Sequence, residues 1–138
     1  MSTPEAVHHR PTSVPRRRRL RAYVAVGLAR ALATQPPARI RALLARIRRG
    51  ARPATHAEAK AARDDVMAVS LLCAAREGCV PRSLATTLLC RAAGVWPTWV
   101  VGARRVPPFG AHAWVEAEGT PVDEDYPADY FRAFFSVP

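Results

Sequence analysis

Residues 78–124 decide the fold class, and they read GCVPRSLATTLLCRAAGVWPTWVVGARRVPPFGAHAWVEAEGTPVDE. Pro81 suits the first turn of a helix, because its missing N–H would have no intrahelical partner there. Leucines follow at helical spacing as far as Gly94, so Cys79 lies at the N-terminus of the predicted helix. After Gly94 the residues become aromatic and β-branched, which favours strands. The stretch therefore predicts one helix followed by strands.

Three strands are predicted after this helix. Residues 96–101 form the first, and residues 111–118 form the second, which alternates and ends in a glycine turn. Residues 121–124 begin a third, short strand that pairs with the second. Alternation places His112 and Trp114 on the same face of their strand.

The N-terminal half is predicted to be helical. One helix follows the arginine run at 16–21 and stops before the two prolines at 36–37, and a second ends at Gly50. A third begins at Thr55, where Thr-His-Ala-Glu fits a capping box, and its apolar face extends to Leu72. We expect a flexible tail at 1–15 and a single domain at 16–138. Within that domain, residues 16–72 are the helical part and residues 73–138 the core.

The net charge of +10 is unevenly distributed. Residues 1–63 carry 15 basic and two acidic side chains, whereas residues 64–138 carry six basic and nine acidic ones. The arginines fit a solvated face of amphipathic helices, a surface for an acidic partner or membrane, or the codon bias of a GC-rich genome. No nucleic-acid-binding motif accompanies them, so we expect no nucleic-acid partner.

The cysteine content and the hydropathy indicate the compartment. Three cysteines cannot all pair, and no secretion signal opens the sequence. The longest apolar run, residues 22–33, is shorter than the roughly 20 residues needed to span a bilayer. We therefore expect a cytoplasmic protein with reduced thiols that is soluble or at most peripheral to a membrane.

Three kinds of side chain in this order are sufficient for nucleophilic cysteine chemistry. Cys79 lies at a helix N-terminus, where unpaired N–H groups and the helix dipole stabilise a thiolate. His112 would take the thiol proton, and either Asp123 or Glu124 would orient the ring. Neighbouring strand residues face opposite sides, so only one of the two acids can do so. Zinc-ligand spacings are missing from the sequence, so we expect no metal.

The other two cysteines fit a different role. Cys73 and Cys90 each fall in a predicted helix on or beside an apolar stripe. Buried cysteines of this kind are commonly inert, small hydrophobic residues.

Residues 78–124 resemble the transglutaminase-like cysteine peptidases of lasso-peptide biosynthesis. The resemblance is carried by Cys-x-Pro-Arg-Ser-Leu at 79–84 and by Ala-His-Ala-Trp-Val-Glu at 111–116, and it extends over most of residues 16–135. It implies an α+β, transglutaminase/papain-like core preceded by N-terminal helices. It also implies Cys79 as nucleophile, His112 as general base and an acidic third member, with no cofactor. By register that acid is Glu124, with Asp123 adjacent.

The resemblance further implies the reaction and the partners. Members of this family remove the leader from a lasso precursor peptide. A small leader-recognition protein, fused or separate, usually assists them. No such module precedes residue 73, so we expect the recognition protein to be separate. The ATP-dependent cyclisation belongs to another enzyme, the lasso cyclase, which is a further candidate partner. A non-catalytic, peptide-binding relative of the same fold is the alternative.

Overall fold

The computed structural model describes residues 14–75, 77–108, 110–124, 126–127 and 129–138. Helices in the first half precede the helix that starts at Cys79 and a small antiparallel sheet, which confirms the predicted α+β class. The helices and strands are α1 (Arg16–Leu32), α2 (Pro37–Ile47), β1 (Arg52–Pro53), α3 (His56–Val69), α4 (Leu71–Ala74), α5 (Cys79–Ala92), β2 (Val95–Trp96), β3 (Thr98–Arg104), β4 (Ala111–Ala117), β5 (Thr120–Pro121) and β6 (Phe131–Val137).

The predicted tail at 1–15 lies almost entirely outside the described residues, and the first helix begins at Arg16. The division into tail, helical part and core stays a prediction. None of the helices in the described ranges is long and apolar enough to cross a membrane.

The main sheet has the strand order β5-β4-β3-β6, and all its pairs are antiparallel. Glu118 and Gly119 join β4 to β5 with φ angles of 54° and 80°. Two consecutive positive φ angles are typical of the tight turn that matches the twist of a hairpin. Pro97, which has no N–H to donate, separates β2 from β3, so the first predicted strand is divided in two.

The core lies between this sheet and the helices. Helix α5 packs on β4, and helices α1 and α3 pack on α5. The buried face of α1 consists mainly of small residues, including Ala22, Ala25 and Ala29. Their small size lets the helix approach its neighbours closely. Leu84 and Trp99 are among the largest fully buried side chains.

The structure confirms the start of the third helix and corrects its end. The Thr55 hydroxyl accepts the Glu58 N–H at 3.2 Å, and the Glu58 carboxylate accepts the Thr55 N–H at 3.1 Å, which completes the capping box. The prediction that the apolar face of this helix continues to Leu72 was wrong. Ser70 is extended, with φ −133° and ψ 115°, and its hydroxyl caps the short helix α4 through the Cys73 N–H.

The last predicted strand is shorter than expected. β5 ends at Pro121, although Val122 still donates its N–H to the Val115 carbonyl at 3.0 Å. Asp123 then adopts φ +51°, which turns the chain out of the strand. The prediction that 121–124 continue as a strand was therefore wrong beyond Val122.

The sequence interpretation missed the C-terminal strand. β6 pairs with β3 along almost its whole length, with a bulge between Val101 and Gly102. Its run of residues, FRAFFSV, is rich in aromatic side chains that favour strands. The strand matters for the candidate site because its first residue, Phe131, lies against His112.

Candidate active site

Cys79 is the first residue of α5, as the sequence predicts. The preceding residue, Gly78, approaches the backbone of Leu72 so closely that a Cβ atom would overlap the Leu72 carbonyl. The guanidinium of buried Arg82 donates to the carbonyls of Cys73 at 3.0 Å and Ala75 at 3.3 Å. The segment that leads into Cys79 is therefore held on both sides, and the position of the sulfur is set by the backbone.

His112 lies on β4 directly opposite Gly102 of β3. A side chain at Gly102 would overlap the Arg132 carbonyl and press on the Trp114 ring. The His112 ring stacks on the rings of Phe131 and Trp114, with centroid separations of 4.5 Å and 5.6 Å. Tyr126 makes a T-shaped contact with it, with the centroids 5.9 Å apart. These aromatic contacts fix the plane of the imidazole and limit its access to water.

Glu124 lies behind His112. Its Oε1 is 3.3 Å from Nε2 of the ring, and the two side chains are only 10% and 11% exposed. Nε2 is buried and makes no well-aligned hydrogen bond within the described residues, so the interaction is an ion pair once the ring is protonated. Because Nε2 faces Glu124, Nδ1 is the ring nitrogen left for the thiol.

Electrostatics favour a charged cysteine. Burial alone would raise the pKa of Cys79, but the hydrogen bond with His112 and the N–H of Ala113 lower it, helped by the charges of His112 and Arg82. The net effect is a pKa below the usual value of a thiol. A lowered thiol pKa at a helix start is characteristic of reactive cysteines.

The imidazole is shifted in the complementary direction. Burial disfavours the charged ring, but contacts with Cys79 and Glu124, together with their negative charges, raise the pKa of His112 to about 9. A thiol whose pKa falls beside an imidazole whose pKa rises forms a thiolate–imidazolium pair. Such a pair supplies a nucleophile and a general acid.

The structure separates the two acids that the sequence left open. Asp123 points to α3, where its Oδ2 is 2.8 Å from Nζ of Lys60 and 4.0 Å from Nη1 of Arg63. Glu124, not Asp123, lies beside His112. The structure thus brings Cys79, His112 and Glu124 together and leaves Asp123 outside that group.

Cys73 and Cys90 lie apart from this chemistry. Both are buried, and burial raises the pKa of each, to about 12 for Cys90, where the charge of Glu58 adds to the effect. Cys79 alone among the three has a lowered pKa. Among the residues that the structure describes, no three His, Cys, Asp or Glu side chains are grouped so that they could hold a metal ion.

Two residues close to Cys79 in the chain make structural contacts. Several other residues near the site were not predicted from the sequence. Arg82 and Ser83 are buried, and the Ser83 hydroxyl accepts the Trp99 indole N–H at 2.9 Å. We did not identify Phe131, Tyr126 or Lys60 from the sequence, although Lys60 contacts Asp123. The aromatic spacing of the C-terminal segment was the signal available for the first two.

Comparisons with known proteins agree with this geometry at the level of the family. The model of a family described as the transglutaminase-like superfamily matches residues 22–136. No curated protein and no solved structure matches the chain.

Proposed function

Because the chain belongs to the transglutaminase-like superfamily, which generally includes cysteine peptidases, we propose that it hydrolyses peptide bonds with Cys79 as the nucleophile. One observation carries the proposal. Cys79 is the first residue of α5 and has a pKa lowered by the neighbouring His112, whose Nε2 is 3.3 Å from Oε1 of Glu124. These are the three parts that a thiol-dependent acyl transfer needs.

The first half of the reaction forms a thioester. The Cys79 sulfur attacks the carbonyl carbon of the scissile bond, and the carbonyl oxygen becomes an oxyanion. The N–H of Cys79, in the first turn of α5, has no intrahelical acceptor and is a candidate oxyanion donor. His112 then gives its proton to the leaving amine, the C–N bond breaks, and the N-terminal part of the substrate remains on the sulfur.

The second half releases the acid. Neutral His112 takes a proton from water, and the resulting hydroxide attacks the thioester carbon. The C–S bond breaks, the thiolate returns and the new carboxylic acid leaves. Glu124 stays ionised throughout and stabilises the imidazolium in each half-reaction.

We infer the substrate from the resemblance of residues 78–124 to lasso-peptide leader peptidases. The substrate is then a lasso precursor peptide, and the thioester carries its leader. The reaction is assisted by a separate leader-recognition protein, and the lasso cyclase acts on the released core peptide. The same resemblance supports a cytoplasmic reaction.

The outer face of α1 supports a partner protein. Large apolar side chains point outward here, with Leu20, Val24 and Leu28 each more than half exposed, whereas the buried face of the helix is mostly alanine. An exposed apolar stripe rimmed by charge is typical of a protein–protein interface. The rim is basic and fits a partner with acidic residues around an apolar centre; its arginines are Arg16, Arg17, Arg19, Arg21 and Arg30. We propose that the recognition protein docks on this stripe.

Mass spectrometry tests the reaction. A candidate precursor is incubated with the recognition protein and with the unaltered chain or its Cys79→Ala variant. Cys90→Ala serves as a control that removes a thiol from the core without touching the site. The proposal predicts leader release by the unaltered chain and by the control only. Release by Cys79→Ala would refute it, and absence of release by any form would favour the non-catalytic, peptide-binding alternative.

A second measurement tests the docking stripe. Val24→Asp places a negative charge in the stripe, which would repel an acidic partner. Leu71→Asp is the control, because Leu71 is 74% exposed and lies on α4, outside the stripe. We expect the first variant to lose affinity for the recognition protein at least tenfold and the second to keep it. Equal affinities in a titration would place the interface elsewhere.

A further inference from the structure

The turn that carries Glu124 departs from what the sheet alone would impose. Glu116 pairs with Pro121, and the Val122 N–H bonds to the Val115 carbonyl. In a continuous strand, Asp123 would then lie opposite Trp114, on the same face as His112. Glu124 would lie on the other face. In the structure, the Glu124 carboxylate instead lies beside His112, and the Asp123 carboxylate contacts α3.

The left-handed backbone at Asp123 accounts for the exchange. Its φ of +51° breaks the alternation after Val122, whose side chain is fully buried and fixes the start of the turn. Residues other than glycine adopt this conformation only when their surroundings hold them in it, although aspartate tolerates it better than most. Something must therefore hold Asp123 in place.

Helix α3 supplies that contact. Nζ of Lys60 is 2.8 Å from Oδ2 of Asp123 and 3.2 Å from Oδ2 of Asp64. The buried guanidinium of Arg63 adds a second positive charge 4.0 Å from Asp123. Lys60 is also the only lysine in a chain with 20 arginines. A compact ammonium, unlike a planar guanidinium, can contact two carboxylates from one point.

We propose that Lys60 and Asp123 form a positioning pair, which holds the left-handed turn that directs Glu124 to His112. The pair acts through Glu124 and touches no substrate. This inference rests on the proposed function, because it assigns a role to the acid of the proposed catalytic group. It also gives Asp123 a role, although its carboxylate does not face the imidazole.

The test uses the chemistry of Cys79 without any peptide substrate. Alkylation of Cys79 by iodoacetamide, followed by peptide mass spectrometry, is measured from about pH 5 to about pH 10. The variants are Lys60→Met and Asp123→Asn, each of which removes the ion pair. Asp64→Asn is the matched control, since it removes the other carboxylate on the same ammonium.

Loss of the pair should move Glu124 and weaken the imidazolium. We expect Lys60→Met and Asp123→Asn to lower the alkylation rate at neutral pH roughly two- to fivefold, the factor that a part-exposed ion pair supports. The pH above which alkylation becomes fast should rise in both variants, because a weaker imidazolium lowers the pKa of Cys79 less. Lys60→Arg should recover part of the rate, and Asp64→Asn should leave the profile unchanged.

A double-mutant comparison separates positioning from simple stabilisation. In a Glu124→Gln background, Lys60→Met should cause no further change in the pH profile, because the group that it positions is already uncharged. The inference is overturned if Lys60→Met lowers the melting temperature and leaves the alkylation profile intact, or if Asp64→Asn shifts the profile equally. If the alkylation profiles change as expected but no precursor is cleaved, the proposed function is refuted and the positioning pair is not.

Discussion

Replacing Glu124 by glutamine removes the negative charge behind His112 and keeps the size of the side chain. The pKa of His112 is raised to about 9 from an ordinary value of 6.5, because contacts with Cys79 and Glu124 and their negative charges outweigh the effect of burial. A tenfold change in a protonation equilibrium is worth about 1.36 kcal/mol, so the net effect of the surroundings, burial included, favours the imidazolium by roughly 3 kcal/mol.

Glu124 and Cys79 contribute to this preference through the same two kinds of interaction. Interactions of a charged group with its partner are generally worth about 1.5–3 kcal/mol, so loss of the carboxylate should change the equilibrium between the charged and the neutral Cys79–His112 pair at least tenfold. Glu124→Gln should therefore lower the rate constant for precursor cleavage about tenfold at neutral pH. Asp123→Asn should cost less, since Asp123 is proposed to act only through the position of Glu124.

The pH profile gives the sign of the effect. The thiolate–imidazolium pair exists above the lowered pKa of Cys79 and below the raised pKa of His112, which is about 9. Without the Glu124 charge the pKa of His112 falls and that of Cys79 rises, so both limbs move inward. Alkylation of Cys79 by iodoacetamide needs only the thiolate and reports the acid limb, whereas cleavage of the precursor also needs the imidazolium and reports both limbs. An unchanged profile in Glu124→Gln would refute the reasoning, as would a larger loss in Asp123→Asn.

Three further predictions concern the thiols and the helix starts. In the native protein, iodoacetamide should label Cys79 at least tenfold faster than the two buried cysteines, and uniform labelling would contradict the lowered pKa of Cys79. Thr55→Ala should lower the free energy of unfolding by about 1 kcal/mol in urea titrations, because it breaks the capping box, and an unchanged midpoint would contradict that role. Gly78→Ala should cost about 1–3 kcal/mol and slow the labelling of Cys79, because its Cβ would overlap the Leu72 carbonyl. Gly27→Ala is its control, since no atom lies within 4 Å of the added Cβ and alanine favours a helix.

Local sequence signals predicted much of the fold. Pro81 and the spacing of the leucines after it set the start of α5, and the Thr55 capping box sets the start of α3. Both depend on residues within one helical turn of each other. The sequence also predicted the members of the candidate site, because a cysteine at a helix start is followed by a strand histidine and then by an acid. The structure brings Cys79 and His112 together because α5 packs on β4.

The remaining features depend on contacts that are distant in the sequence. The choice between Asp123 and Glu124 follows from a left-handed residue held by Lys60, which lies 63 positions away in the chain. Strand periodicity assumes an extended backbone and cannot anticipate that exchange. The break at Ser70 similarly reflects a competing side-chain cap, since the hydroxyl satisfies the N–H of Cys73.

The most direct test of the account is to trap the thioester. A precursor reaction with the recognition protein is quenched in acid within seconds, digested and analysed by mass spectrometry. We predict that the peptide containing Cys79 gains the mass of the leader less one water, and that the Cys79→Ala variant shows neither this adduct nor free leader. Leader release by that variant, or an adduct on another cysteine, would contradict the central claim.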